Sequence, residues 1–164
     1  MLKRLFRHMT TLPLHARKHF PPATLDAIAA AISTSERRHR GEIRVVIEHG
    51  LDWLEVWRGT TARQQAEALF GELRIWDTED NSGILIYLLL ADHAIEIVVD
   101  RGILARVPED TFATICSQMQ AAFTQGQFET GLLQGIAACT DLLQQHFPAH
   151  SDNPNELPDQ PLLR

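Results

Sequence analysis

The stretch Asn81–Gly102, with the sequence NSGILIYLLLADHAIEIVVDRG, decides the fold of this chain. It holds two apolar runs, Ile84–Leu90 and Ile95–Val99, separated by four residues that include Asp92 and His93. So short a connection predicts an antiparallel hairpin, because a parallel crossover needs about a dozen residues or more. The first run is apolar nearly throughout, so we expect it to be buried on both faces of a sheet.

The residues before the hairpin predict a helix, a strand and a second helix. Apolar side chains recur at helical spacing over Leu25–Ile32, and a basic stretch followed by Gly41 favours a helix C-terminus there. Glu42–Glu48, with the sequence EIRVVIE, is rich in β-branched residues and predicts the first strand. Thr61–Gln64 has the spacing of a capping box and begins the second helix. Because that helix connects the strand to Ile84–Leu90, the two strands should be parallel.

Two amphipathic helices are expected after the hairpin, one beginning near Glu109 and one spanning Phe128–His146. The order of elements predicts an α/β fold, a three-layer α/β/α sandwich with a small mixed sheet. We expect a basic N-terminal arm at residues 1–20, one domain at residues 21–147 and a disordered C-terminal tail at residues 148–164.

Charge is distributed unevenly along the chain. The 164 residues carry a net charge of −6, which argues against nucleic acid as the main partner. Residues 1–20 nevertheless contain no acid and are basic, through Lys3, Arg4, Arg7, Arg17 and Lys18. Apolar residues in this arm have helical spacing, so three interpretations are open: a solvated tail, a helix docked on the domain, or a contact with a membrane surface or partner.

Two further features concern location and a segment of uncertain backbone. Cys116 and Cys139 lie among apolar neighbours in helical patterns, which favours reduced, buried thiols and a cytoplasmic protein. The basic arm lacks the continuous apolar stretch of a secretory signal, and no run approaches the ~20 apolar residues of a spanning helix. In residues 51–59, one helical turn would place Trp53 and Trp57 on the same side.

Strand direction predicts a site at one end of the sheet. If the hairpin is centred on Asp92 and His93, Ile86 should pair with Val99, and the end of the second strand returns to the acidic loop before the first strand. The parallel first strand begins at that same end. The polar residues brought together are Glu42, Asp80, Asn81 and Asp100. Oxygen ligands of this kind suit calcium or magnesium, although such residues also commonly make solvated turns.

The opposite end of the sheet offers a weaker alternative. His49, Asp92 and His93 follow strands there, where ligands of parallel sheets tend to bind. A His/Asp pair can bind zinc or transfer protons, but histidines in turns are more often surface residues. The sequence contains no P-loop, nucleophile elbow, glycine-rich dinucleotide turn or cysteine-phosphatase loop.

An ordered set of short motifs over residues 25–147 resembles the TPM domain family. The matching motifs are Gly41-Glu42-Ile43, Ala68-Leu69-Phe70, Asp80-Asn81-Ser82-Gly83-Ile84-Leu85, Asp92-His93, Glu96 with Asp100-Arg101-Gly102-Ile103, and Phe123-x-x-Gly126-x-Phe128-x-x-Gly131-x-x-x-Gly135-Ile136. The chain looks most similar to short, stand-alone bacterial members. It departs from the usual pattern at Ser82, at His93 and after Asp100, where a carboxylate is lost.

The resemblance implies an α/β/α sandwich and two functional expectations. Some family members bind calcium at acidic loops, a role that falls here on Asp80, Asn81 and Asp100. We therefore expect a non-catalytic binding or accessory module, stabilised by calcium or magnesium, whose basic arm reaches membrane-associated partners. The alternative implied by the family is a metal-dependent acid phosphatase acting on phosphomonoesters. In that enzyme we would expect Asp80 and Asp100 as metal ligands and Glu42 as the base. A cationic phosphate clamp is missing, since Arg101, the nearest arginine, alternates away from Asp100 along the strand.

Overall fold

A computed structural model describes residues 2–11, 13–149 and 155–164. Helices make up most of the chain and surround one small sheet. In chain order the elements are α1 (Leu2–Thr10), α2 (Pro13–His19), α3 (Pro22–Glu36), β1 (Glu42–Glu48), α4 (Trp53–Arg58), α5 (Ala62–Glu72), β2 (Gly83–Leu89), β3 (Ala94–Val99), α6 (Arg101–Leu104), α7 (Glu109–Thr124), α8 (Phe128–His146) and β4 (Leu162–Leu163).

The sheet has four strands in the order β3-β2-β1-β4. As the sequence predicts, β1 and β2 are parallel, with Glu42 opposite Gly83 and Glu48 opposite Leu89. β2 and β3 form the predicted antiparallel hairpin. The sheet is therefore mixed, and every side chain of β1 and β2 is buried.

Alternate side chains of the strands enter two separate cores, which makes the molecule a three-layer α/β/α sandwich as predicted. One core includes Ile43, Val45 and Ile47 of β1 and is covered by α3, α7 and α8. The other includes Val46 of β1 and Tyr87 of β2 and is covered by α4 and α5. β2 is apolar apart from the Tyr87 hydroxyl, as burial on both faces requires, whereas β1 also buries Glu42, Arg44 and Glu48.

The hairpin differs from the prediction by a shift in pairing. A turn centred on Asp92 and His93 would place Ile86 opposite Val99, but Ile86 pairs with Ile97. The reason is that Leu90–Asp92 form a 3-10 turn and His93 adopts a left-handed conformation with φ of 51°. The shift is two residues, so each side chain stays on its predicted face of the sheet.

Local predictions agree with the structure at several elements. β1 and α8 have the predicted bounds, and Thr61 and Gln64 form the capping box that begins α5. Residues 53–58 are helical, which resolves the segment of uncertain backbone. α3, however, ends at Glu36 rather than near Gly41. A Cβ at Gly41 would lie 2.5 Å from the Leu143 side chain, so the glycine allows close packing instead of capping the helix.

Residues 155–164, which we call the C-terminal segment, lie along the free edge of β1. β4 pairs in parallel with β1, and the backbone N–H of Arg164 donates to the Ile47 carbonyl at 2.9 Å. The Arg44 side chain donates to the carbonyls of Pro158 and Gln160. This arrangement differs from the disordered tail expected from composition, because the segment supplies partners to a strand edge and a buried cation. Residues 150–154 lie outside the described residues.

Candidate functional site

The four predicted site residues lie on segments that meet at the end of the sheet where β1 and β2 begin, here called the acidic end. Glu42 is the first residue of β1 and lies opposite Gly83. The N–H of Asp100 donates to the Gly83 carbonyl at 3.0 Å, and the N–H of Gly102 donates to the Asn81 carbonyl at 3.1 Å. A Cβ at Gly102 would lie 2.6 Å from the carbonyl oxygens of Asp80 and Asn81, so the two loops are packed directly together.

Within the acidic end, most of the side chains bond to separate partners. Asp80 forms a salt bridge with Arg40, and the Asn81 amide oxygen accepts from Arg101 Nε at 2.9 Å. Across residues 2–11, 13–149 and 155–164, no three His, Cys, Asp or Glu side chains are grouped so as to hold a metal ion. The backbones of the two loops are therefore in contact, but their polar side chains bond to neighbouring residues.

Asp100 is the residue of this set with an unused oxygen. Its Oδ1 accepts the Arg101 N–H at 2.7 Å and thereby caps α6. Its Oδ2 is buried and has no hydrogen-bond partner among the described residues. Leaving a buried carboxylate oxygen without a partner costs roughly 1–3 kcal/mol, so this oxygen favours binding of a donor or a cation.

Glu42 belongs to a pair of buried carboxyl groups that sequence reasoning did not find. Its two oxygens accept the backbone N–H groups of Glu156 and Leu157, at 3.3 and 3.1 Å. Glu36, at the end of α3, is buried beside it and accepts the Ile43 N–H at 3.2 Å. Burial raises the pKa of both carboxyl groups. The proximity of Glu42 raises the pKa of Glu36 further, whereas the two N–H groups oppose the rise at Glu42.

The opposite end of the sheet does not bring together the three residues of the alternative site. Asp92 is bound by Arg4 at 2.7 Å and by Arg7, both from α1. His49 Nδ1 is 2.6 Å from the Arg164 carbonyl, and His93 is exposed. The structure therefore does not group Asp92 with His49 and His93, because the carboxylate is bound to the N-terminal arm.

His8 completes this contact, and we call Arg4, Arg7, His8 and Asp92 the Asp92 cluster. His8 is buried; its Nδ1 accepts the Leu51 N–H at 2.9 Å and its Nε2 lies 2.9 Å from Asp92 Oδ1. Nε2 therefore carries the proton that is donated to Asp92. Burial alone would raise the pKa of Asp92, but the bonds from Arg4, His8 and Arg7 outweigh it and hold the pKa well below its usual range.

Of the three interpretations of the basic arm, the structure shows the docked helix. The spacing of Arg4, Arg7 and His8 places them on neighbouring turns of α1, so a polar helical face could have been recognised from the sequence. Their partner lies 84 to 88 residues away, and no local pattern identifies it.

The two cysteines are free, with Cys116 half-buried and Cys139 buried. Burial raises the pKa of the Cys116 thiol to about 11 and that of the Cys139 thiol to about 12. Both are therefore neutral, weakly reactive thiols near pH 7, as the structural interpretation predicts. Within the part of the chain that the structure describes, no helix has the length and apolar character needed to cross a membrane.

Comparison with known proteins identifies the family. A family model described as the TPM domain matches residues 16–142. No curated protein matches the chain. The NMR structure of BA42 from the psychrophilic bacterium Bizionia argentinensis is 30% identical, with a TM-score of 0.76, over 87% of this chain and 93% of BA42. The N-terminal domain of a P. gingivalis protein, 20% identical with a TM-score of 0.55 over 79% of this chain and 81% of its own, shares the fold. By the family match and the similarity to BA42, this chain belongs to the TPM domain family.

Proposed function

We propose that this TPM-domain chain is a non-catalytic binding or accessory module with membrane-associated partners, and that a divalent cation stabilises its acidic loops. The observation that carries the proposal is which side chains are buried and which face solvent. Glu42 and Asp100 are only 1% and 8% exposed, whereas large apolar side chains on α1 and α4 face solvent. These two carboxylates of the candidate site therefore lie inside the fold, while the apolar side chains form an exposed contact surface. The free thiols support a cytoplasmic location.

The phosphatase that the family resemblance implies has less support from these residues. Metal-assisted phosphoester hydrolysis needs an activated water and cationic stabilisation of the phosphoryl oxygens. Glu42, the expected base, is covered by the backbone of Glu156 and Leu157, and Arg101 is bonded to Asn81. We therefore favour the binding module.

The cation proposal rests on Asp100. Its buried Oδ2 is an oxygen of the type that calcium and magnesium prefer. Asp80 and Asn81 lie on the adjoining loop, but each is bonded to an arginine. We therefore expect Asp80 and Asn81 to join Asp100 as ligands when Arg40 and Arg101 release them.

Thermal unfolding in calcium or magnesium chloride tests the cation proposal. A ligand present at 100 times its Kd adds ~2.7 kcal/mol to stability, which raises the Tm of a chain of this size by roughly 5–10 °C. We expect a rise of this order in the wild type, a much smaller rise in Asp100→Asn, and a wild-type rise in Asp26→Asn, which changes an exposed acid of α3. An unchanged wild-type Tm at millimolar cation would contradict the proposal.

A hydrolysis assay separates the module from the enzyme. Wild type and Asp100→Ala are incubated with a generic phosphomonoester and calcium or magnesium, beside a phosphatase of known activity. We expect both proteins to remain at the rate of the protein-free control. Turnover by the wild type that disappears in Asp100→Ala would instead establish the phosphatase.

A further inference from the structure

The outer face of α1 carries large apolar side chains that the fold does not cover. Leu2 is 84% exposed, Phe6 71% and Met9 67%. Their spacing of four and three residues places them on one face of the helix. Leu5 and His8 lie on the inner side, where Leu5 packs against the second core and His8 is buried. The exposed face is therefore additional to the one that attaches the helix.

The neighbouring helix α4 repeats this pattern. Trp53 and Trp57 are each 64% exposed, and Leu54 is 39% exposed. The two tryptophans are four residues apart and share a face, while Val56 is buried in the second core. α1 packs against α4. We call the exposed apolar side chains of the two helices the α1–α4 surface; its members are Leu2, Phe6, Met9, Trp53, Leu54 and Trp57.

Positive charge adjoins this surface on a chain that is otherwise acidic. Residues 1–20 contain basic residues and no acid, although the whole chain has a net charge of −6. Lys3 is exposed on α1 and Arg58 is exposed at the end of α4, whereas Arg7 is paired with Asp92. The acids of α4, Asp52 and Glu55, bond backbone N–H groups at the start of the helix in a capping box, whereas Arg58 lies at its end.

The Asp92 cluster holds the surface in place. Arg4 also donates to the Thr60 carbonyl at 2.7 Å, so α1 is tied to both the hairpin turn and the segment after α4. Because His8 is buried and bonded on both ring nitrogens, α1 cannot rotate its apolar face inward without breaking these bonds. The exposure of Leu2 and Phe6 is thus maintained by the tertiary structure.

The composition and charge of the α1–α4 surface indicate what kind of partner binds it. Tryptophan, phenylalanine and leucine on one side of a helix, with lysine and arginine beside them, are typical of helices that lie in the interface of a bilayer. We propose that the α1–α4 surface docks the domain on an anionic lipid bilayer, with its apolar side chains at headgroup depth and Lys3 and Arg58 near lipid phosphates. The inference rests on the proposed function, because it supplies the contact through which membrane-associated partners would be reached.

Co-sedimentation with lipid vesicles tests the proposal. The wild type should sediment with vesicles of equal parts phosphatidylserine and phosphatidylcholine, and much less with phosphatidylcholine alone or at high salt. The double variant Trp53→Ala/Trp57→Ala and the variant Phe6→Ser should each lose about tenfold in apparent affinity, which corresponds to ~1.4 kcal/mol. Trp76→Ala is the matched control, because Trp76 is exposed but lies outside the surface. It should bind as the wild type does.

Tryptophan fluorescence gives a second readout that does not depend on sedimentation. The chain has three tryptophans, and two of them lie in the α1–α4 surface. In Trp76→Phe, emission should shift to shorter wavelength on adding anionic vesicles. In Trp53→Phe/Trp57→Phe, which leaves Trp76 as reporter, it should stay constant. Because all of the substituted side chains are exposed, circular dichroism and Tm should match the wild type and exclude misfolding.

Several results would overturn the proposal. These are no binding to anionic vesicles, equal loss in Trp76→Ala, or a concentration-dependent dimer that the Phe6→Ser change abolishes, which would make a second copy the occupant. The proposed function fails separately. If the wild type binds vesicles but calcium does not raise its Tm, the cation proposal fails and the docking proposal stands. If calcium raises the Tm but the wild type does not bind vesicles, only the docking proposal fails.

Discussion

Both ends of the sheet contain carboxyl groups that a terminal segment of the chain bonds, but the pKa values of these groups shift in opposite directions. At the acidic end, the C-terminal segment covers Glu42, which lies beside Glu36, and burial raises both pKa values. At the other end, α1 brings two arginines and a histidine to Asp92 and lowers its pKa. The difference shows that burial without a cationic partner raises the pKa of a carboxyl group, whereas arginines supplied by a distant segment lower it.

Among the substitutions that test this comparison, Asp92→Ala should have the largest effect on stability. The change leaves His8 buried and Arg4 half-buried without their carboxylate, so we expect a loss of about 3 kcal/mol in unfolding free energy and release of α1. Urea unfolding measures the loss, and faster trypsin cleavage at Arg4 and Arg7 measures the release. Asp141→Ala, which alters a carboxylate 75% exposed and 3.6 Å from Arg38, should cost less than about 0.5 kcal/mol. Equal losses in the two variants would refute the assignment.

Gly102→Ala tests whether the loops of the acidic end are packed as one unit. The new Cβ would meet two backbone oxygens at 2.6 Å, and backbone atoms cannot move aside cheaply. We expect a loss of about 2 kcal/mol by urea unfolding. Gly71→Ala is the control, because no atom lies within 4 Å of its added Cβ in α5. It should be neutral or stabilising by up to about 1 kcal/mol, and a similar loss there would contradict the packing argument.

Glu36→Gln tests the raised pKa at the acidic end through the pH dependence of stability. Because the folded-state pKa of Glu36 is raised, the folded protein binds more protons than the unfolded chain. Its stabilising contribution is therefore complete below the unfolded pKa of about 4.3 and declines as pH rises. Glutamine keeps an oxygen for the Ile43 N–H but does not titrate.

Between about pH 5 and about pH 8, the unfolding free energy of Glu36→Gln should rise by at least about 1 kcal/mol relative to that of the wild type, since one pKa unit is worth ~1.4 kcal/mol. Urea unfolding at several pH values measures the two slopes. Glu67→Gln, at an exposed position of α5, should follow the wild-type slope. Parallel slopes for Glu36→Gln and the wild type would contradict the raised pKa.

Arg101→Ala should have the smallest effect. Its side chain is exposed and the bond to Asn81 is open to water, so we expect a change within about 0.5 kcal/mol. Arg4→Ala removes bonds to Asp92 and to the Thr60 carbonyl and should cost clearly more in the same urea measurement. A larger loss in Arg101→Ala would mean that the acidic end, and not the Asp92 cluster, is the more rigid of the two.

Much of the fold was predictable because its determinants are local. The β-branched run of β1, the capping box at Thr61 and the four-residue connection of the hairpin each act within a few residues. The pairing of the hairpin was predicted with an error of two residues, because the chain forms a 3-10 turn before His93. Convergence of the Asp80 and Asp100 loops followed from strand direction alone, and their backbone contact agrees with it.

The sequence by itself determined the two apolar runs of Asn81–Gly102, the parallel partner Glu42–Glu48 and the helices that cover them, because periodicity and turn length are encoded locally. Only the tertiary structure decided what each carboxyl group does. The segments that bond Glu42 and Asp92 are the two chain termini, 114 and 84 residues away. The energy of such contacts depends on distance in space and on shared burial, and neither is written in the neighbouring sequence.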